Sequence, residues 1–408
     1  MRTLTALGVA SLVLLGLVAC QDEPVKPAGQ VSTAPAAPWA LELVDTAFQA
    51  SLRMPEVPHA KNRSKVQEQL ALACLELGGL EQAQAYSKSI VVPWRRGSVL
   101  AQLACEQAER GLESEAKASI VAAERAVEQS NDEDTQDWQR GRVRGKLARA
   151  WLMLGNEAAA ASYSTNLDPA EAKAVADQRV RQAALTNFEA QLQAVTGPLN
   201  SGNFEQIKAG LETAELLYAA VYAEADKRTQ VDAAMRKGWE KMPLDLRIQA
   251  LLGMATAAVE HADKGTTRTL LDEARVDIDR AKWLLEHRLP IEARWSTILG
   301  TSGDKEGAAQ RLAQVLELYE RERANTVNIY RAGALRPVAE AYAALGQTAQ
   351  ALVIYQRALE EGLENPNSRP RLDDLSATVI SMAVQGVQPS AETRTRIQSI
   401  ATQLGDPW

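Results

Sequence analysis

Few side chains in this sequence are placed for bond-making chemistry. The three histidines, His59, His261 and His287, share no metal-ligand spacing with one another or with a cysteine. The sequence holds no G-x-S-x-G, H-E-x-x-H or G-x-x-x-x-G-K-[ST] motif. Neither an enzyme nor a metal or other cofactor is expected. What the chain does repeat is a cation. Six times an Arg is followed by a Gly fifteen residues later and an Ala five beyond: Arg63/Gly78/Ala83, Arg96/Gly111/Ala116, Arg140/Gly155/Ala160, Arg288/Gly303/Ala308, Arg331/Gly346/Ala351 and Arg371/Gly386/Ala391. Such a ladder of guanidinium groups could hold an anionic ligand. The favoured reading is structural. A cation at a helix start is unfavourable by roughly a few tenths of a kcal/mol, so each Arg needs a carboxylate or the last carbonyls of the preceding helix. Trp94 and Trp138 each stand two residues before such an Arg, and cation–π packing explains them at least as well as glycan stacking does.

A fixed phase of this kind marks a repeated unit. In the unit from 331 to 363, Leu335, Val338, Ala339 and Tyr342 form the stripe of one amphipathic helix. Gly346 breaks it as a left-handed cap, and Ala351, Leu352, Tyr355, Ala358 and Leu359 form a second stripe. Neither helix can bury its face alone, so hairpins must stack on their neighbours. Small residues at fixed positions, such as Ala71, Ala104, Ala148 and Ala339, let helices cross closely. The fold class is all-α. Lys and Arg number 45 against 52 Asp and Glu, a formal charge of −7, which argues against a nucleic-acid binder.

The unit resembles the tetratricopeptide repeat, with Ala339, Tyr342, Gly346, Ala351, Tyr355 and Ala358 at the family's positions. The other units keep the small residues and vary the aromatics. The resemblance implies a right-handed α-solenoid of about eight helical hairpins, two weaker ones starting at Asn187 (Gly202, Ile207) and Ala250 (Gly265, Leu270). Between 187 and 250 the stripe Ile207, Leu211, Ala214, Tyr218, Val221 and Ala225 reads as a coiled-coil seam against Leu185, Phe188, Leu192 and Val195. A longer central helical hairpin (171–244) is expected, between repeat arrays at 40–170 and 245–408, with a helix at 40–54 capping the front. In this family the ligand lies against the first helix of each hairpin. That implies partner contacts at Lys65, Arg142, Arg144, Arg149, Arg336 and Glu340, suited to a peptide or helix with apolar anchors and acidic character.

The front of the chain reads as an address. Met1-Arg2 and the apolar run Leu4–Val18 form an export signal over 1–19. Its end, Leu17-Val18-Ala19-Cys20, resembles the bacterial lipoprotein box, which implies acylation of Cys20, removal of residues 1–19 and anchoring in the bilayer. Gln21 after the Cys implies the outer membrane, facing the periplasm. Residues 20–39 hold the Cys and a Pro-rich tether, whose eighteen residues 21–38 at about 3.1 Å each reach roughly 55 Å. Cys74 and Cys105, at unlike phases of neighbouring units, are expected as buried free thiols rather than a disulfide. The functional expectation is a lipid-anchored scaffold holding another envelope protein or peptide, in envelope assembly, secretion or pilus biogenesis. The alternative is a solute- or glycan-binding lipoprotein.

Overall fold

The structure is a computed structural model and describes residues 37–129, 135–165, 167, 171–172, 174–177, 187–240 and 242–408. The export signal, Cys20, most of the tether and Leu185 lie outside the described residues. The described chain is a helical repeat. Its helices are α1 (Pro38–Leu52), α2 (Glu56–Glu76), α3 (Leu80–Ser87), α4 (Pro93–Glu109), α5 (Glu113–Glu128), α6 (Asp137–Met153), α7 (Glu157–Ser162), α8 (Phe188–Leu199) and α9 (Phe204–Ala220). They continue with α10 (Ala225–Trp239), α11 (Leu244–Glu260), α12 (Lys264–Arg280), α13 (Leu285–Thr301), α14 (Lys305–Glu322), α15 (Asn328–Ala344), α16 (Thr348–Leu363), α17 (Ser368–Val384) and α18 (Ala391–Gln403).

The hairpin turn is built the same way throughout. Gly78, Gly111, Gly155, Gly303, Gly346 and Gly386 all have φ between 67° and 120°, the left-handed region a Cβ resists. The next residue or two then open the second helix: Asn156 and Asp304 accept the backbone N–H of Ala159 and Gly307. The hairpin of α11 and α12 breaks the pattern. Its turn falls on Ala262 (φ 56°) and not on Gly265, so the register there is Arg247, Ala262 and Thr267, three residues earlier than the sequence suggested. Asp263 caps α12 through the N–H of Thr266, which fixes the turn despite the missing Gly.

The helices divide into two layers. Call the first helix of each hairpin A and the second B. The A helices pack on one another in order: α9 on α11, then α13, α15 and α17, and separately α2 on α4 and α6. Successive B helices meet chiefly through long side chains, as in Arg396–Glu360, Arg236–Glu273 and Arg323–Glu361. The A layer is therefore the inner one.

The array is not an open stack. α17 packs on α2, and α1 lies across the joint against α17, α2 and α18. Ser368 donates its N–H to Pro407 O at 2.9 Å, and Arg53 Nε donates to Leu404 O at 3.2 Å. Phe48 stacks on Tyr86 with ring planes 3° apart. The expected front cap is thus a joint between the two ends, because the apolar face of α1 (Val44, Ala47, Phe48) is buried on both sides.

The long central hairpin is also corrected. The seam residues Ile207, Leu211, Ala214 and Tyr218 are buried and α8 packs on α9, but the chain turns after Val221 and Ala225 is exposed at the start of α10. Tertiary contacts hold that turn. Tyr222 donates its OH to Asp263 at 3.0 Å, stacks on His261, and its carbonyl accepts from Arg228. The end of α9 therefore lies beside the end of α11. The two run parallel, α9 is an A helix and α10 its B helix. The helical residues 171–172 and 174–177 bring Glu171 against Gly145 of α6. The described part of the long interval thus holds short helices rather than one long hairpin.

Candidate functional site

Polar residues line the contacts between A helices, and the expected partner-binding positions fall among them. Glu68 of α2 pairs with Arg95 of α4. Lys146 Nζ donates to Ser98 Oγ at 2.7 Å, and Arg149 donates to Gln102 Oε1 at 3.2 Å and pairs with Glu171 at 3.4 Å. Arg294 donates to Gln249 at 2.5 Å. Arg336 pairs with Asp374 at 3.3 Å, and Glu340 accepts from Ser381 Oγ at 2.6 Å. Burial pushes the Lys146 ammonium down, partly offset by Glu171, and pushes the Asp374 carboxyl up to about 6 against the pull of Arg336. Closure of the array brings Lys65 toward Asp373 of the last hairpin, whose carboxyl burial also pushes up. Arg149, Arg336 and Glu340 are thus engaged in ties between neighbouring A helices. Among the described residues neither Arg142 nor Arg144 makes such a tie. Arg142 lies over the Trp138 ring at 5.9 Å, and Arg144 is half-buried.

The repeat arginines reach back to the chain that precedes their own helix. Arg63 donates to Met54 O, Arg96 to Ile90 O, Arg331 to Thr326 O and Arg371 to Asn365 O, at 3.3, 3.5, 2.8 and 2.6 Å. Several also cross to the end of their own hairpin: Arg96 to Gln129 (2.6 Å), Arg331 to Glu364 (2.6 Å) and Arg247 to Asp277 (2.8 Å). Arg288 meets Glu292, which also accepts paired bonds from Arg275 and Arg311. Arg228, outside the repeat phase, makes the same kind of backward bond.

Cys74 and Cys105 are free and buried, and burial raises their thiols to about 12 and about 11. Among the described residues no cluster of ligating side chains could hold a metal ion, and no helix is long and apolar enough to cross a membrane. An open hollow of about 640 Å³ between α16 and α18 is lined by Gln356, Thr393 and Ser399 and crossed by the Glu360–Arg396 pair.

Sequence reasoning missed a surface at the edge of the ring. All A helices begin at one rim and all A-to-B turns lie at the other. Arg110, beside one turn, donates to the carbonyl of Gly78 in the next. At the rim where A helices begin stand Val57 (86% exposed), Trp138 (42%), Leu284 (63%), Val327 (60%), Ile329 (49%) and Tyr330 (40%). An apolar residue just before a helix normally packs back on its first turns as a staple. The exposures of Leu284 and Val327, the two that stand just before a helix, exclude that. The signal in the sequence was an apolar residue one to six positions before a repeat Arg.

No family model matches the chain, and no curated protein matches it. A solved structure described as a "Circular tandem repeat protein with novel repeat topology and enhanced subunit contact surfaces" is similar at 16% identity, over 89% of this chain and 94% of that one, with a TM-score of 0.27. The closure described above rests on this chain's own contacts, not on that likeness.

Proposed function

We propose that this protein is a lipid-anchored scaffold that holds another envelope protein at the periplasmic face of the bacterial outer membrane, and that its hairpins are divergent tetratricopeptide repeats. The observation that carries the docking reading is the row of exposed apolar side chains at one rim of an array whose core is otherwise well filled. Apolar side chains left exposed along one rim offer anchor points that a bound protein could cover. The inner faces of the A helices, where such repeats usually take ligands, are largely occupied by their own ion pairs. The lipid anchor rests on the Leu17–Cys20 sequence, and the envelope setting follows from it. The glycan-binding reading has one feature in its favour, the half-exposed Trp138 ring beside Arg142.

A photo-crosslinking residue placed at Trp138, Leu284 or Ile329 in cells tests the docking reading. Crosslinks to a discrete protein are expected; crosslinks to glycan alone, or none, overturn it. Cys20→Ala should leave the membrane fraction and lose fatty-acid labelling, and retention of both would remove the anchor.

A further inference from the structure

Resting on the scaffold reading above but not on its rim, we propose that the groove between α17 and α2 is a second docking site. α1 is its displaceable occupant, and an amphipathic helix of the partner, with a polar side chain that bonds Gln67, takes its place. α1 sits where a B helix belongs. Five of the six Arg–Gly–Ala hairpins open their B helix two residues after the turn Gly, and their Ala83, Ala116, Ala160, Ala308 and Ala351 are fully buried. In the last hairpin α18 begins five residues after Gly386, and Ala391 is exposed. α1 packs on α17 more extensively than α18 does, and it packs on α2 as well. It runs antiparallel to α2, as a B helix runs to the next A helix, with Leu41 against Gly79 beyond the end of α2. The groove is thus shaped for a helix, and the helix in it belongs to no hairpin.

The fit is incomplete at one side chain. Gln67 is 0% exposed, and among the described residues neither its amide nitrogen nor its amide oxygen has a hydrogen-bond partner. The same repeat position, four after the Arg, holds Leu100, Leu335 and Leu375 in three units, a half-buried Arg144 in another, and Glu292 in the 288 unit. Glu292 accepts from Arg275 of the preceding B helix and from Arg311 of its own. In the first hairpin Tyr86 stands at the position of Arg311, and α1 replaces the preceding B helix, with its Phe48 stacked on Tyr86. Gln67 therefore lies where α1, α2 and α3 meet, and α1 gives it no partner. A buried amide left unpaired costs free energy that a Leu there would avoid. A helix with the same apolar anchors and one facing Asn, Gln or Ser recovers that loss. The anchors are those α1 already buries, Leu43, Val44, Ala47 and Phe48, the spacing by which a helix fills a groove. Two polar ties hold α1 from its flanks: Tyr86 donates its OH to Asp45 at 2.7 Å, and Arg53 Nε donates to Leu404 O. Its link to α2, Pro55 to Pro58, is exposed throughout and extended at Val57. α1 leaves as a unit, and no hairpin has to unwind.

The test combines hydrogen exchange with peptide binding on the full chain. The probes are a labelled peptide of residues 37–54 and three versions of it carrying Val44→Asn, Ala47→Asn or Ser51→Asn. The amides of α1 should exchange as a group, ahead of those of α2 and α4. Gln67→Leu should slow exchange in α1 by about tenfold and leave α4 unchanged. Phe48→Ala should speed it by about a hundredfold. In fluorescence anisotropy the parent peptide should bind the Phe48→Ala chain, and one Asn peptide should bind about tenfold more tightly. Adding Gln67→Leu to that chain should abolish the gain. Exchange of α1 only together with the whole array overturns the proposal, as does failure of every peptide to bind. So does a set of Asn peptides with no gain, or a gain indifferent to Gln67→Leu. A Phe48→Ala chain that dimerises in light scattering also overturns it, by assigning the groove to α1 of a second copy. Crosslinking at Leu284 and Ile329 separates the two levels. A protein captured there, with failed peptide binding, overturns the groove and leaves the scaffold. Peptide binding with no capture at the rim upholds the groove and removes the rim.

Discussion

Glu292 shows what a single side chain does in this array. It is 1% exposed and accepts from three guanidinium groups, those of Arg275, Arg288 and Arg311. Burial alone would raise its carboxyl, but the bonds from Arg311 and Arg275 outweigh it and hold the group at about 2. A carboxylate depressed in this way stabilises the fold fully above its unfolded range near 4.5, and that contribution is lost as pH falls from there toward 2. Asp374 runs the other way. Its folded value near 6 lies above the unfolded one, so its ionisation costs stability at neutral pH and the cost disappears as pH falls from about 6 to about 4. Denaturant unfolding of wild type against Glu292→Gln should show a loss of about 3–5 kcal/mol at pH 7, since three cations lose their shared partner. That difference should shrink below pH 4.5; a constant difference down to pH 2 would mean the guanidinium cluster does not depress the carboxyl. The Asp374→Asn comparison should show the opposite slope, wild type gaining on the variant between pH 6 and 4.

At the scale of the element, the turn is the unit of the repeat, and it was the part most legible in the sequence. Six Arg–Gly–Ala sets located six left-handed turns because a positive φ excludes most residues with a Cβ, so the geometry writes itself into the sequence as Gly. The exception shows why the reading stopped where it did. Ala262 takes the left-handed position between α11 and α12, and Gly265, three residues on, drew the register to itself. The cap by Asp263 and the stacking of Tyr222 on His261 hold Ala262 in place, and both are tertiary or side-chain effects that periodicity does not carry. The same contacts ended α9 early, where the apolar seam alone read as continuous. Ala262→Gly should therefore stabilise the protein by about 1 kcal/mol, the strain of a left-handed L-residue less the extra chain entropy of Gly. Gly346→Ala should cost a similar amount. Urea midpoints measure both, and a destabilised Ala262→Gly would show that the turn is not strained. The candidate site was less legible. Arg149, Arg336 and Glu340 lie on helix faces taken up by ties to neighbouring A helices, and whether a face is open depends on packing of the whole array, which no single hairpin encodes.

The molecule as a whole differs from a linear repeat in one respect, the joint made by α1. An open solenoid gains stability unit by unit, and its ends fray independently. Here the last hairpin is tied to the first by α17 on α2, and α1 buries Val44, Ala47 and Phe48 across the seam. The joint closes a loop that spans nearly the whole described chain, so its contacts hold every other interface in place at once. If Cys20 carries the proposed lipid, any pull from it acts first on this helix, which begins at Pro38. Ala47 is fully buried, so Ala47→Glu places an unpaired carboxylate in the seam without touching the hairpins. The expected result is a helix content near that of wild type, a larger radius of gyration by small-angle X-ray scattering, and earlier, broader thermal unfolding as the freed terminal hairpins lose cooperativity with the rest. Proteolysis should then cut first near residues 365 and 405, at the opened end. A variant that keeps the wild-type radius and a single sharp transition would show that the hairpins hold the ring closed without α1, and that the helix only covers the seam.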